Sequence, residues 1–227
     1  MLSDNLRGSL FMVLAMLGFA VEDAFFKNAT ATGVSPGVGT IIFGAFGTLA
    51  FVAYAIWIKE PVFRRAYVER PLLIRSAFEI LGRLFFALSL AFVPLSTTSA
   101  ILQAAPLVVT LGAALVLKEP VGLRRWLAMS VGFLGVLLIL RPTPDGFDAT
   151  VIFAVLGMIG FAGRDLMTRA SPPEVSATQL GVLGFLMVFI AGVVITAFES
   201  APLASPSPPA LAMLLGTGLA GLVGYSA

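Results

Sequence analysis

The sequence predicts an all-α membrane protein with eight transmembrane helices, and three observations carry that expectation. First, 59% of the 227 residues are hydrophobic and only 11% are charged, with a mean hydropathy of +1.02; soluble domains run at roughly 45–50% apolar and 25% charged. Second, cutting the chain at charged or proline-rich breaks leaves eight apolar segments, each close to the ~20 residues that a helix needs to cross a ~30 Å hydrocarbon layer. Third, a charged stretch inside the first segment recurs inside the sixth, as a duplicated unit would.

The segments are residues 8–27, 37–58, 72–92, 97–117, 121–140, 150–168, 177–198 and 210–227. They are apolar nearly all round, without the period-two alternation of a membrane barrel, so helices are the economical way to satisfy the backbone in lipid. The start, Arg7 followed by residues 8–21, has the look of a signal peptide. Further apolar spans follow it where a secreted protein would turn polar, so it reads as the first retained helix.

The charges set an orientation. With the N-terminus inside, the inner turns hold Arg7, Lys59, Arg64, Arg65, Arg70, Lys118, Arg124, Arg125 and Arg169, and the outer ones only Lys27 and Arg141. That is a positive-inside bias. The outer loop 199–209 has no basic residue, in agreement.

The duplicated stretch is Gly18-Phe19-Ala20-Val21-Glu22-Asp23-Ala24-Phe25-Phe26-Lys27, matched 142 residues later by Gly160-Phe161-Ala162-Gly163-Arg164-Asp165-Leu166-Met167-Thr168-Arg169. Glu22 aligns with Arg164, Asp23 with Asp165 and Lys27 with Arg169. Gly44-x-x-Gly47 is echoed by Gly181-x-x-Gly184, 137 residues on. The first repeat, 1–143, has five spans. Five is odd, so the second repeat, 144–227, enters the membrane upside down, an inverted-repeat plan. Asp23 then belongs near the outer end of its helix and Asp165 near the inner end. Counterparts of the fourth and fifth spans, residues 94–142, are missing from the second repeat. The reading is therefore eight helices of a ten-helix 5+5 fold, truncated at the C-terminus.

Residue types exclude several chemistries. There is no cysteine and no histidine, which removes disulfides, thiol chemistry, zinc clusters and every Ser-His or Cys-His nucleophile. No G-x-x-x-x-G-K-[ST] loop occurs. The net charge of +2 finds no nucleic-acid-binding pattern to support it. No metal, no cofactor and no enzyme activity are expected. An intramembrane enzyme would have only carboxylates to work with, and Asp23 and Asp165 are expected at opposite faces.

Six ionisable residues lie well inside the spans: Glu22, Asp23, Glu79, Arg83, Arg164 and Asp165. Facing lipid, together they would cost on the order of 18 kcal/mol, at roughly 3 each. They are therefore expected to face one another or water. Arg75, Glu79 and Arg83 follow at i, i+4, i+8 and share one helical face. Arg75 is expected to snorkel to the surface, leaving Glu79 and Arg83 either as an intrahelical pair or as the lining of a central cavity. Glu22 and Asp23 are about 100° apart on their helix, so one can bind while the other pairs, with Lys27 or Arg83 as partners. Arg164 and Asp165 read as gating or anchoring residues near the inner surface. Gln103 is a polar side chain beside Pro106, whose missing N–H kinks the helix; it reads as a substrate contact or as an interhelical hydrogen bond. The glycine series Gly157/Gly160/Gly163 and Gly218/Gly221/Gly224 are expected to be close helix contacts.

One long run, Pro94-Leu95-x-x-Thr98-x-Ala100-Ile101-x-x-x-x-Pro106-Leu107, continues through Lys118-Glu119-Pro120-Val121-Gly122-x-Arg124-Arg125-Trp126 to Gly132-Phe133-x-Gly135-Val136-Leu137-Leu138-x-x-Arg141-Pro142. It resembles the EamA-type branch of the drug/metabolite transporter superfamily, with Glu119 as the acidic residue at the inner turn. The resemblance covers the whole chain, the second repeat beginning near Thr150. It implies ten helices in two inverted repeats of five, both termini cytoplasmic, in the bacterial inner membrane. It also implies secondary transport of a small metabolite or drug-like solute by alternating access. The expected substrate contacts are Glu22, Asp23, Glu79, Arg83 and Gln103, with Pro106, Arg164 and Asp165 as gating or structural residues. The expected partners are a small-molecule substrate and the lipid bilayer, with a homodimer admitted. A lipid-group flippase of similar fold and a non-transporting truncated fragment are the alternatives.

Overall fold

The computed structural model describes residues 4–140, 149–199 and 206–226. Arg141, Pro142, the repeat boundary at 143 and most of loop 199–209 lie outside the described residues. Among the described residues there are nine α-helices and no strand: α1 (Asp4–Ala31), α2 (Pro36–Trp57), α3 (Arg70–Phe92), α4 (Leu95–Leu102), α5 (Ala105–Leu115), α6 (Leu123–Leu140), α7 (Val151–Arg169), α8 (Ala177–Phe198) and α9 (Pro208–Ser226). Nine arise from eight segments because the fourth is broken.

The break sits where Pro106 enters the fourth segment. Gln103 N–H still reaches the Ser99 carbonyl (3.1 Å), but Ala104 N–H turns to Ile101 (2.9 Å) and Leu107 N–H to Ala104 (2.9 Å). Proline has no N–H to offer Leu102. Together α4 and α5 still form one apolar span, Leu95–Leu115. By length and composition it is one of six candidate membrane spans, with Leu6–Ala31, Pro36–Trp57, Val151–Arg169, Ala177–Phe198 and Pro208–Tyr225. α3 is not among them, since it carries Arg70, Arg75, Glu79 and Arg83.

The chain divides into two compact units. One takes in α1, α2, α8 and α9; the other runs from Arg64 to Val175 and holds α3 to α7. In the first unit α2 and α8 are antiparallel and meet through glycines on both helices. The Phe185 ring covers Gly47 and the Phe51 ring covers Gly181, while Gly44 lies on the Phe189 backbone. Phe43, Phe185 and Val188 form the buried centre of this contact. Both ends of the pair are fastened. Gly37 N–H donates to the Glu199 carboxylate (2.9 Å) beside the Ser35 cap of α2. At the other end, Gln179, fully buried and part of the α8 capping box with Ser176, donates to the Pro61 carbonyl (2.8 Å).

α1 pairs with α9 in the same unit, and α3 with α7 in the other. Both pairs are antiparallel and close on glycine. Gly18 abuts Gly224 and Ala220, and Gly82 abuts Gly160. Lipid tails are as apolar as the helices they surround, so association rests on close van der Waals contact, and small residues permit it. The expected role of the two glycine series is thereby met: Gly157, Gly160 and Gly163 lie against Phe86, Gly82 and Phe78, and Gly218, Gly221 and Gly224 against Phe46, Phe43 and Phe19.

Two turns are built alike. Lys59 ends α2 and Lys118 follows α5, both with left-handed backbone (φ 58° and 55°), and each is followed by Glu-Pro-Val. The N–H of the next glutamate closes each turn, Glu60 onto Ala55 (2.8 Å) and Glu119 onto Ala113 (3.1 Å).

A methyl group on Gly160 would overlap the Gly82 backbone, whereas one on Gly135 meets nothing within 4 Å. Gly160→Ala is expected to cost about 1–3 kcal/mol, read as a lower melting temperature in detergent. Gly135→Ala should leave that temperature unchanged or raise it.

Candidate functional site

The charged residues expected inside the spans gather mainly on the α3·α7 pair. Gly82 and Gly160 bring the two backbones together, and about one turn away Glu79 of α3 faces Arg164 of α7. Glu79 is fully buried, and its Oε1 lies 3.4 Å from Arg164 Nη1. Arg75, one turn earlier on α3, places its Nη2 3.8 Å from Glu79 Oε2. Arg164 also grips its neighbour Asp165 through Nε and Nη2, each 2.9 Å from Oδ1. Arg75 Nε donates to the Thr168 hydroxyl (3.0 Å), which in turn donates to the Arg164 carbonyl (2.9 Å). The result is one continuous polar network across two helices, with Glu79 between two guanidinium groups.

Arg83 continues the same face of α3. It is 6% exposed, with its guanidinium 5.8 Å from the ring centres of both Phe86 and Phe161. Aromatic faces stabilise a buried cation by about 0.5–2 kcal/mol each. The Arg164 guanidinium lies 5.3 Å from Phe161 as well.

Two expectations are corrected here. Arg75 does not snorkel: it is 5% exposed, because Thr168 and Glu79 supply the partners that the surface would otherwise provide. Arg164 is no surface anchor either, with its side chain 15% exposed and turned to Glu79. Only Asp165, 47% exposed, keeps a surface character. A further difference concerns Gln103. It caps the end of α4 and is exposed, with no hydrogen bond to another side chain among the described residues, and Pro106 beside it is exposed too.

In the other unit Glu22 of α1 is 3% exposed and Asp23 half-buried. The Glu22 carboxylate lies over Gly221 of α9, where an added Cβ would come within 3.2 Å of Oε2 and meet the Phe43 ring. The 142-residue offset of the duplicated stretch relates contacts in the two units. Gly18 on Gly224 corresponds to Gly160 on Gly82. The edge-on Phe19–Tyr225 pair, 5.3 Å between centres, corresponds to Phe161 with Arg83. Glu22 over Gly221 corresponds to Arg164 on Glu79. The same helix-pair register thus carries an ion pair in one unit and a carboxylate against glycine in the other.

Sequence reasoning missed Thr168, Gln179 and Glu199. No signal in the sequence alone names Arg164 as the partner of Glu79, because the 142-residue offset aligns Glu79 with Gly221 and leaves the choice of facing helix to the structure. Among the described residues no cluster of three or more acidic side chains could hold a metal ion.

These features define an all-helical, multi-pass membrane protein with ionisable residues drawn inward. Residues 6–141 match the EamA-like transporter family, and the chain belongs to it. It is similar to the riboflavin transporter of Vibrio cholerae, with 28% identity over 194 residues, covering 81% of this chain and 62% of that protein. The riboflavin transporter of Rhizobium johnstonii is 30% identical over 72% of this chain and 54% of its own length. The S-adenosylmethionine uptake transporter of Rickettsia prowazekii is 23% identical over 97% of this chain and 73% of its own. The chain therefore spans 54–62% of the length of the two riboflavin transporters. No solved structure matches.

The Glu79–Arg164 pairing yields a measurable coupling. In a double-mutant cycle of Glu79→Ala and Arg164→Ala, unfolding in detergent should give an interaction energy of about 0.5–3 kcal/mol. Strict additivity would mean that the pair does not form.

Proposed function

We propose that this chain acts in secondary transport of a small polar metabolite across the bacterial inner membrane by alternating access. In this reading it supplies eight helices of a ten-helix 5+5 inverted repeat, with the first repeat at 1–143, the second from 144, and the N-terminus cytoplasmic. The observation that carries the reading is the set of contacts repeated at the 142-residue offset. Internal structural repeats of this kind are the plan on which many secondary transporters are built. Family membership and the names of the relatives, which cover riboflavin, S-adenosylmethionine and, in Pseudomonas aeruginosa, pseudopaline, support the solute class and not one solute.

The residues divide by role. Glu79 is held between Arg75 and Arg164, so these three, with Asp165, fix α3 to α7 and would exchange partners only when the pair rearranges. Each unit is assigned its own solute contacts: Glu22 for a charged group with Asp23 at its periphery in one, and Arg83 with Gln103 at its periphery in the other. Pro106 supplies the hinge of α4 and α5. The driving term is the difference in solute affinity between the inward-open and outward-open states.

The chain reconstituted in lipid vesicles should move labelled riboflavin or S-adenosylmethionine down a gradient. Glu22→Gln and Arg83→Ala should each reduce the flux at least about tenfold, equivalent to 1.4 kcal/mol of solute interaction. Flux indifferent to both substitutions would remove these residues from the path, and the absence of flux for every small solute offered would overturn transport by this chain.

A further inference from the structure

The face of α4 that ends at its break carries polar groups with nothing to bind. Ser96, Ser99 and Gln103 follow at i, i+3 and i+7 and so share one side of the helix. Ser96 and Gln103 are exposed and Ser99 is half-exposed. Their hydroxyl and amide groups have no hydrogen-bond partner among the described residues. Beside them the Leu102 carbonyl has lost its donor to Pro106, and Ala104 N–H, which would bond Ala100 in a regular helix, has turned to Ile101. On α5 the Thr110 hydroxyl bonds back to the Pro106 carbonyl (2.8 Å), so that group is satisfied. The open groups thus run along one face of α4 and end at the break.

Depth makes this costly. Gln103 lies eight residues after Leu95, the start of the span. At 1.5 Å per residue that is about 12 Å along the axis, well inside a ~30 Å hydrocarbon layer. Lipid-exposed irregular backbone does not occur at such depth; it persists only where protein buries it or where it lines water. The strip holds donors and acceptors in equal measure and no charge. It therefore complements groups that are themselves neutral and hydrogen-bond both ways.

We infer that this strip, Ser96, Ser99, Gln103 and the Leu102 carbonyl, is a water-accessible recognition surface for the uncharged, hydroxyl- or amide-bearing part of a solute. The inference deepens the transport reading above and rests on it for the solute's passage. The surface itself is a property of α4 and is tested without transport.

The chain has no cysteine, so single thiols can be placed without altering any other residue. Ser96→Cys, Ser99→Cys and Gln103→Cys, in vesicles containing the full chain, should react with a membrane-impermeant maleimide at least tenfold faster than Leu111→Cys and Val131→Cys. Those two controls replace exposed apolar residues, 39% and 69% exposed. In detergent, at least one of uridine, nicotinamide and riboflavin should raise the melting temperature of the wild-type chain, and Ser99→Ala with Gln103→Leu should abolish that shift. Benzoate and choline, charged and without such groups, serve as the contrast. Equal labelling at strip and control positions would overturn the inference, by placing the strip in lipid or under a covering helix. So would thermal shifts from benzoate or choline only, from none of the solutes, or unchanged in the double variant. Strip-specific labelling without flux would sink the transport reading and leave the surface standing; flux without it would do the reverse.

Discussion

Arg164 reaches Glu79 because the backbones of α3 and α7 touch at Gly82 and Gly160, about one turn away. A fully buried carboxylate in a bilayer is untenable unless a cation is held within a few ångströms of it, since desolvation of each ion costs several kcal/mol. Side-chain length alone does not bring the two together; the helix axes have to approach, and only a residue without a Cβ allows that. Packing and electrostatics in this unit are therefore one constraint. The glycines set the separation, the separation closes the ion pair, and the pair, with Thr168 and Arg75, fixes the register of the two helices.

The same register recurs in α1 and α9 with different chemistry. There Glu22 lies over Gly221, and Tyr225 stands where Arg83 would be. The two pairs share the geometry that glycine imposes and differ at their polar positions. The cost of a buried charge is met inside the pair on one side. On the other, Gly221 stands at the position of Glu79, and the Glu22 carboxylate lies over it.

Much of this was legible in the sequence, for identifiable reasons. Span positions follow from hydropathy, so the segment at 177–198 coincides with α8, and others differ by a few residues where helices such as α1 run on past the apolar run. The break in the fourth span is written in Pro106, because a missing N–H is a local fact. Partner choice was not legible. The i+4 spacing of Arg75 and Glu79 gave their contact, but whether Arg75 would leave for the surface depended on Thr168, 93 residues away, which no local pattern names. Gln103 was expected to find either a ligand or another helix; that its side chain is exposed at the end of α4 depends on how α4 turns against its neighbours, a tertiary property.

Lys59 and Lys118 occupy a backbone conformation that glycine adopts freely and that costs another L-residue about 1–2 kcal/mol. Both follow the last apolar turn of a helix, where the chain leaves hydrocarbon for the phosphate layer. A glycine would relax the turn but bring no charge to that boundary, whereas a lysine at the end of an apolar span has a stem long enough to carry its ammonium group to the polar interface. Each Lys-Glu-Pro-Val corner thus trades conformational comfort for a charge at the mouth of its span.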